Sequence, residues 1–337
     1  MKARRRLGLL LAAMLVSGAG GARAWGQDDR NAVVVADPRT SESSALAVSP
    51  TDDGLLYTVN DSGHEPVVYV IDRTDATIVG TTLLAGVDSD DVDPEAIAVD
   101  DEATLWVADI GDNLRTRDDI ALYALPGPGT GAASVTPRGY PLRYADGPTD
   151  AETLLADPSS GRMWVVTKGL LSGSVLRVPA RLRTDADNLL TPLADLRVPA
   201  QVTDGTVLPD GNAVVLRTYG RAYVYRLPSW ALVGDFALPR QQQGESLTVL
   251  PDGRTLLAGS EGTPTRIAAV PLPERVVAGL AATPTEAPTP GVPPDPPAQP
   301  TAAPATDDGG PFGWWLAIGV AVAAVGAAGA SFLRRRS

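Results

Sequence analysis

The middle of the chain repeats at an interval of about 40–57 residues, and this periodicity constrains the fold more than any other feature. Each of five units holds a short apolar strand, a turn with Asp, Gly or Pro, a second strand, a polar loop and a third strand. Four units continue into a fourth strand. The first strands are SSALAV from Ser43, PEAIAV from Pro94, AETLLA from Ala151, DGTVLP from Asp204 and GESLTVL from Gly244. This pattern predicts an all-β fold, a single β-propeller of four-stranded blades.

The two ends of the repeat array are complementary. The fifth unit lacks a fourth strand, whereas the segment Asn31–Ala36 reads as a strand without a unit of its own. We expect this segment to complete the last blade and close the ring, because closure protects edges that an open sheet would expose. The count is then five blades, or six if two units have been merged. A pair of β-sandwiches is the competing architecture, but it does not predict five similar units.

Four stretches carry a resemblance to a known family. They are SESSALAV…YTVNDSG, DPEAIAV…LWVADIGDN, DAETLLADPSSGRMWVVTKG and DGTVLPDGNAVVLRTYGRAYVYRLP, and together they cover most of residues 40–272. The chain resembles a bacterial family of exported β-propeller proteins related to the YVTN/NHL/WD40-like group. The resemblance implies the propeller fold and export, and it implies no particular chemistry. The G-H…W-D signature of WD40 blades is missing.

The termini have the patterns of targeting segments. Residues 1–24 combine a basic start, an apolar run and Ala22-Arg23-Ala24, which predicts a cleaved signal peptide, with an uncleaved anchor as the alternative. Residues 312–333 are free of charge and would extend roughly 33 Å as a helix, enough to span a bilayer. The arginines in 334–337 place the C-terminus in the cytoplasm. We therefore expect a propeller domain over 25–279 and a Pro/Thr/Ala-rich stalk over 280–311. The protein should be a single-pass cell-membrane protein with the propeller outside.

Composition narrows the possible functions. The chain has no cysteine and a single histidine, which excludes thiolate chemistry and multi-histidine metal sites. Eight of the 28 basic residues fall in the predicted signal peptide and tail, which leaves 20 against 40 acidic residues in the rest. Nucleic acid is therefore excluded as a partner, because binding to it depends on neutralising phosphates. The membrane, through the C-terminal helix, and an extracellular protein or glycan are the expected partners.

In a propeller, the first strands begin at the face where the second strands end, so two sets of polar residues should meet at one opening of the ring. Carboxylate and amide oxygens dominate both sets and suit Ca²⁺, with capping of turns as the alternative. The densest local cluster predicts a calcium site at Asp93, Glu95, Asp109, Asp112 and Asn113. The first set is Glu42, Asp93, Glu95, Asp150, Glu152, Asp204 and Glu245. The second set is Asn60 to His64, Asp109 to Asn113, Thr167 to Gly169, Arg217 to Tyr219 and Ser260 to Gly262.

Two functions are compatible with this opening. We favour a binding or scaffolding module that acts through its acidic loops. The alternative is an extracellular hydrolase or lyase that uses carboxylate acid/base chemistry. Its candidate catalytic residues are His64, Glu95, Glu152, Lys168 and Arg217, although His64 also fits an ordinary polar loop. Trp106 and Trp164 occupy matching positions in second strands and are predicted to pack between blades.

Overall fold

The structure is a computed structural model that describes residues 32–61, 63–89 and 92–282. The predicted signal peptide, the transmembrane helix 312–333 and nearly all of the stalk lie outside these residues. Within them, no helix has both the length and the apolar character needed to cross a membrane.

The chain is built from short strands, most of them antiparallel to their neighbours. The turns that join them are rich in Asp and Gly, as the repeat predicts. The first blade holds β2 to β5 (Ala47–Val48, Leu55–Thr58, Val67–Asp72, Thr77–Leu84), and the second holds β6, β7, β8 and β10 (Pro94–Val99, Thr104–Asp109, Ile120–Pro126, Arg138–Tyr144). The third blade holds β11 to β14 (Ala151–Ala156, Met163–Thr167, Val175–Arg177, Asn188–Pro192). The fourth holds β15 to β18 (Val202–Val207, Ala213–Thr218, Arg221–Arg226, Ala231–Ala237). The fifth holds β19, β20 and β21 (Gln243–Val249, Thr255–Glu261, Thr265–Pro271).

The five blades form a closed ring. The inner strand of each blade packs against the inner strand of the next, in the order β2, β6, β11, β15, β19 and back to β2. Apolar side chains from neighbouring blades fill the space between them; one such cluster joins Tyr57 and Val70 of the first blade to Leu105 and Val107 of the second. The prediction of a β-propeller with five blades is confirmed by this arrangement.

Strand β1 (Val33–Val35) completes the fifth blade. It pairs antiparallel with β21, with Val33 opposite Ile267. Val35 is fully buried. Beyond a short 3₁₀ helix (Pro38–Thr40), the hydroxyl of Thr265 donates to the carbonyl of Thr40 at 2.6 Å. The predicted closure of the ring by the N-terminal strand is therefore confirmed, and β1 gives the last blade its fourth strand.

Two parallel pairings at the rim of the ring were not predicted. Strand β9 (Gly131–Val135) leaves the second blade and pairs with β5 of the first. In the same way β10 pairs with β14 of the third blade. The approach of β9 requires a glycine at position 80, since a Cβ there would lie 2.4 Å from the carbonyl oxygen of Gly129. These pairings cover outer edges that would otherwise be exposed.

A C-terminal helix extends the folded domain slightly beyond its predicted end. Helix α1 (Glu274–Ala281) packs on β18, and its Val276 is buried in the core between the fourth and fifth blades. The guanidinium of Arg226 donates to the carbonyls of Gly279 and Leu280, which lack partners within the helix. The domain was predicted to end at residue 279, so this helix includes the first residues assigned to the stalk.

The two tryptophans in matching second-strand positions behave differently. Trp164 is 4% exposed and lies in the core between the third and fourth blades, as predicted. Trp106 packs against the core between the second and third blades but remains half-buried.

Candidate functional site at one opening of the ring

A β-bulge in the inner strands directs acidic side chains toward the centre of the ring. The pairing register shifts between Pro94 and Ala96, between Ala151 and Thr153, and between Gln243 and Ser246. Glu95, Glu152 and Glu245 are the residues at these shifts. A bulge changes the direction of the side chain that it contains, so these three glutamates share a common orientation.

The predicted convergence of two sets of residues at one opening is observed. We call this cluster the acidic mouth; it consists of Glu42, Asp61, Glu95, Glu152, Lys168, Glu245 and Glu261. Asp61 and Lys168 follow second strands, and Glu261 ends one. Their charges act on one another across the ring: Asp61 interacts with Glu42, Glu245 and Lys168, and Glu261 interacts with Glu245 and Glu152.

Three carboxyl groups of the mouth lie close enough to share one ion. Oxygen atoms of Glu42, Asp61 and Glu261 lie within 4.8 Å of one another. Burial, reinforced by neighbouring carboxylates, raises the pKa of Asp61 to about 7 and that of Glu261 to about 9. Burial and like charge both disfavour the ionised form, so this group gains stability from a proton or a cation.

Unpaired oxygen atoms accompany this group. Glu245 is 3% exposed, and its Oε2 has no hydrogen-bond partner among the described residues. The Oδ1 atom of Asn60, next to Asp61, is also buried without a partner, while its Nδ2 donates to the carbonyl of Arg39. A buried polar atom without a partner is costly unless something else coordinates it.

Lys168 neutralises the third-blade side of the mouth. Its Nζ donates to Oε1 of Glu152 at 2.8 Å and lies 5.5 Å from the centre of the Tyr219 ring. Burial nevertheless raises the pKa of Glu152 to about 8. Glu95 is almost completely buried, and burial together with the charges of Glu152 and Asp93 raises its pKa. One ammonium group thus faces several carboxyls.

The cluster predicted to bind calcium is arranged differently. Asp109 forms an ion pair with Arg117 at 2.7 Å and accepts the N–H of Asp93. Asp112 accepts the N–H groups of Thr116 and Arg117, which is the turn-capping role named as the alternative. Asn113 is exposed. Within the described part of the chain, Asp93, Glu95, Asp109 and Asp112 do not supply three carboxyls as close together as Glu42, Asp61 and Glu261.

Two further candidates lie away from the centre of the mouth. Arg217 is fully buried, and its guanidinium donates to the carbonyls of Ser246 and Gly259, so it is closed to ligands and serves the fold. Asp204 accepts the N–H groups of Gly205 and Leu247 and links the same two blades. The side chain of His64 is 39% exposed, with Nδ1 3.8 Å from Asp61 Oδ1.

The fold and this site together define a five-bladed β-propeller with an acidic, largely buried cluster at one opening. No protein-family model matches the sequence, and no curated protein matches it in a sequence comparison.

Solved structures do show a likeness. A luciferin-regenerating enzyme has 14% identity and a TM-score of 0.45, with 68% of this chain and 78% of that chain covered. The β-propeller domain of Cps50 (Swd1) from Myceliophteria thermophila has 11% identity and a TM-score of 0.37, and the match covers 68% of this chain and 65% of that chain. An auxiliary nutrient binding protein from Bacteroides thetaiotaomicron has 12% identity and a TM-score of 0.36, and the match covers 67% of this chain and 57% of that chain. The match spans less than two thirds of the latter two chains, and the propeller assignment rests on the closed ring itself.

Proposed function

We infer that the protein is a binding module that holds a calcium ion in the acidic mouth and binds an extracellular protein or glycan at the surrounding loops. The main support is that carboxyl oxygens of Glu42, Asp61 and Glu261 lie close together, and that Oε2 of Glu245 in the same mouth has no hydrogen-bond partner among the described residues. All these donors are oxygen atoms. Oxygen-only donor sets favour Ca²⁺, which takes six to eight such ligands.

The loops around the mouth support binding of a large ligand. Leu114 follows β7, and Leu170 and Leu171 follow β12, so all three lie on the side of the mouth. They are 77%, 76% and 95% exposed. Exposed apolar side chains next to a charged cluster are typical of an interaction surface.

Binding is favoured over catalysis by the state of the candidate acid/base residues. Glu152 is held in an ion pair with Lys168, and Arg217 is enclosed in the core. A glycoside hydrolase singles out two carboxyls at a set separation. Here several carboxyls crowd together, and none is singled out as acid or base.

Calcium should raise the stability of the propeller. A ligand bound only by the folded state adds about 2.7 kcal/mol to the free energy of unfolding at a hundred times its dissociation constant. Thermal unfolding of residues 25–284 with calcium and with a chelator measures this effect. Asp61→Asn with Glu261→Gln should abolish the response, whereas Asp52→Asn with Asp53→Asn, in an exposed turn, should keep it. Coincident curves with and without calcium would rule out the ion. Loss of the response in Asp109→Asn with Asp112→Asn alone would move the site to the cluster predicted from sequence.

The calcium response should also depend on pH. The raised pKa values of Asp61 and Glu261, about 7 and about 9, exceed the value of about 4 expected in the unfolded chain. The folded state therefore binds more protons, and without calcium its stability falls as the pH rises from about 4 to about 9. Calcium competes with these protons. The stabilisation by calcium should be small near pH 5.5 and should keep increasing until the pH passes about 9, the raised pKa of Glu261.

We also propose that the propeller lies outside the cell, held by a proline-rich stalk and one transmembrane helix. Its support is the sequence of residues 1–24, 280–311 and 312–333. Protease added to intact cells should release a soluble fragment of about 25–30 kDa, because cleavage concentrates in exposed segments that are not tied into the folded domain. Protection of the propeller until the cells are lysed would contradict this orientation.

A further inference from the structure

A second site lies on the opposite side of the propeller. A groove of about 910 Å³ opens where the first strands turn into the second strands of blades one and two. We call it the aromatic groove, and its principal residues are Asp100, Glu102, Trp106, Ala124, Arg138 and Tyr140. The acidic mouth lies where the second strands end, so the two sites are at opposite ends of these strands.

Two aromatic rings form one wall of the groove. The ring centres of Trp106 and Tyr140 are 5.6 Å apart, with the planes tilted by 38°. Ala124 lies opposite Trp106 in the sheet, and Arg138 lies opposite Ala124 on the next strand. The small side chain of Ala124 leaves space between the rings and the guanidinium, and both rings remain only half-buried.

The indole ring is held in place before any ligand arrives. Oδ2 of Asp100 accepts the indole N–H of Trp106 at 2.8 Å. Oδ1 of Asp100 accepts the backbone N–H groups of Glu102 and Thr104, at 3.0 Å and 2.8 Å. An aromatic ring fixed in this way loses little conformational entropy on binding, which favours affinity.

The rim of the groove offers polar groups of both kinds. The side chains of Glu102 and Arg138 are exposed and form no hydrogen bond or ion pair with the part of the chain that the structure describes. The carboxylate can only accept hydrogen bonds, and the guanidinium can only donate them.

The third blade shows that this openness is not a necessary result of the repeat. Trp164 occupies the position that matches Trp106, but Trp230 covers it with ring centres 5.7 Å apart in an edge-to-face contact. These two tryptophans are 4% and 9% exposed. The wall formed by Trp106 and Tyr140 has no such cover.

We propose that the aromatic groove binds an oligosaccharide. A pyranose ring has an apolar C–H face that packs on an aromatic ring, and its hydroxyl groups both donate and accept hydrogen bonds. The groove supplies two aromatic rings, an acceptor at Glu102 and a donor at Arg138. A concave site with aromatic walls and a few convergent polar groups is the usual form of such a pocket.

The test uses the full-length protein in a detergent without a sugar head group. Hexasaccharides of β-1,4-glucose, α-1,4-glucose, β-1,4-mannose and β-1,4-N-acetylglucosamine are titrated by calorimetry and by tryptophan fluorescence. At least one should bind with a dissociation constant of about 10 µM to 1 mM. Tyr140→Ala should weaken that binding at least about tenfold, and Glu102→Ala or Arg138→Ala about threefold to tenfold.

Matched controls separate this site from the acidic mouth and from misfolding. Glu102 and Arg138 are exposed, so their variants should keep the unfolding midpoint of the parent protein. Trp164→Phe and the mouth variant Asp61→Asn with Glu261→Gln should bind the sugar unchanged. Absence of binding by all four sugars up to about 10 mM, or binding that survives Tyr140→Ala, would overturn the proposal.

Discussion

A propeller that starts at residue 37 instead of residue 25 should lose at least about 4 kcal/mol of unfolding free energy, or fail to fold. The shorter chain lacks β1 and leaves β21 with an unpaired edge. It also exposes Ile267 and Leu257, against which Val35 packs. Urea denaturation of the two chains, each ending at residue 284, measures the difference.

A point substitution tests the same closure without shortening the chain. Val35 is completely buried, so Val35→Ala should cost about 2–3 kcal/mol. The neighbouring Val34 is only half-buried, and Val34→Ala is the matched control, with an expected loss below about 1 kcal/mol. Equal midpoints for the parent, the shortened chain and Val35→Ala would mean that β1 does not hold the ring closed.

Arg217→Met should cost about 3–5 kcal/mol, the range expected when a buried charge network loses one partner. Arg217 lies on β16 in the fourth blade, and its Nη1 donates to the carbonyls of Ser246 and Gly259 in the fifth, at 2.7 Å and 2.9 Å. Burial lowers the pKa of this guanidinium to about 10, yet at neutral pH it remains charged. Its removal deprives both carbonyls of this donor and leaves the buried Asp204 without its positive neighbour.

The control is an arginine on the adjacent strand. Arg221 is exposed and pairs with Asp235, so Arg221→Met should cost less than about 1 kcal/mol. Asp204→Asn in the Arg217→Met background should recover part of the loss, because it removes a carboxyl that no longer has a compensating charge. Equal stability of Arg217→Met and Arg221→Met in urea would show that Arg217 does not link the two blades.

The repeat could be recognised in the sequence because each feature that defines it lies within a short segment. Alternation of apolar residues, turns such as PDG and the unmatched strand at residues 31–36 each depend on a few neighbouring positions. These signals predicted the number of blades, the closure of the ring and the face on which the acidic residues meet.

Which carboxyls form the close group in the acidic mouth depends on distances between residues far apart in the sequence, and a local sequence pattern does not contain this information. Glu42 and Asp61 belong to the first unit and Glu261 to the last, and they are neighbours only because the ring closes. The acidic residues are densest in sequence around Asp93 and Asp109, and the calcium site was predicted there for that reason. Arg117 pairs with Asp109 there, so density did not identify the closest carboxyl group.

The sequence by itself determined a five-unit β-propeller with acidic residues at one opening, since periodicity and turn chemistry are properties of short segments. Only the tertiary structure decided the parallel pairings at the rim and the burial of Arg217. It also decided which carboxyls lie within 4.8 Å of one another and that Trp106 stays open while Trp164 is covered. Each of these results depends on contacts between different blades, and such contacts arise only when the ring has closed.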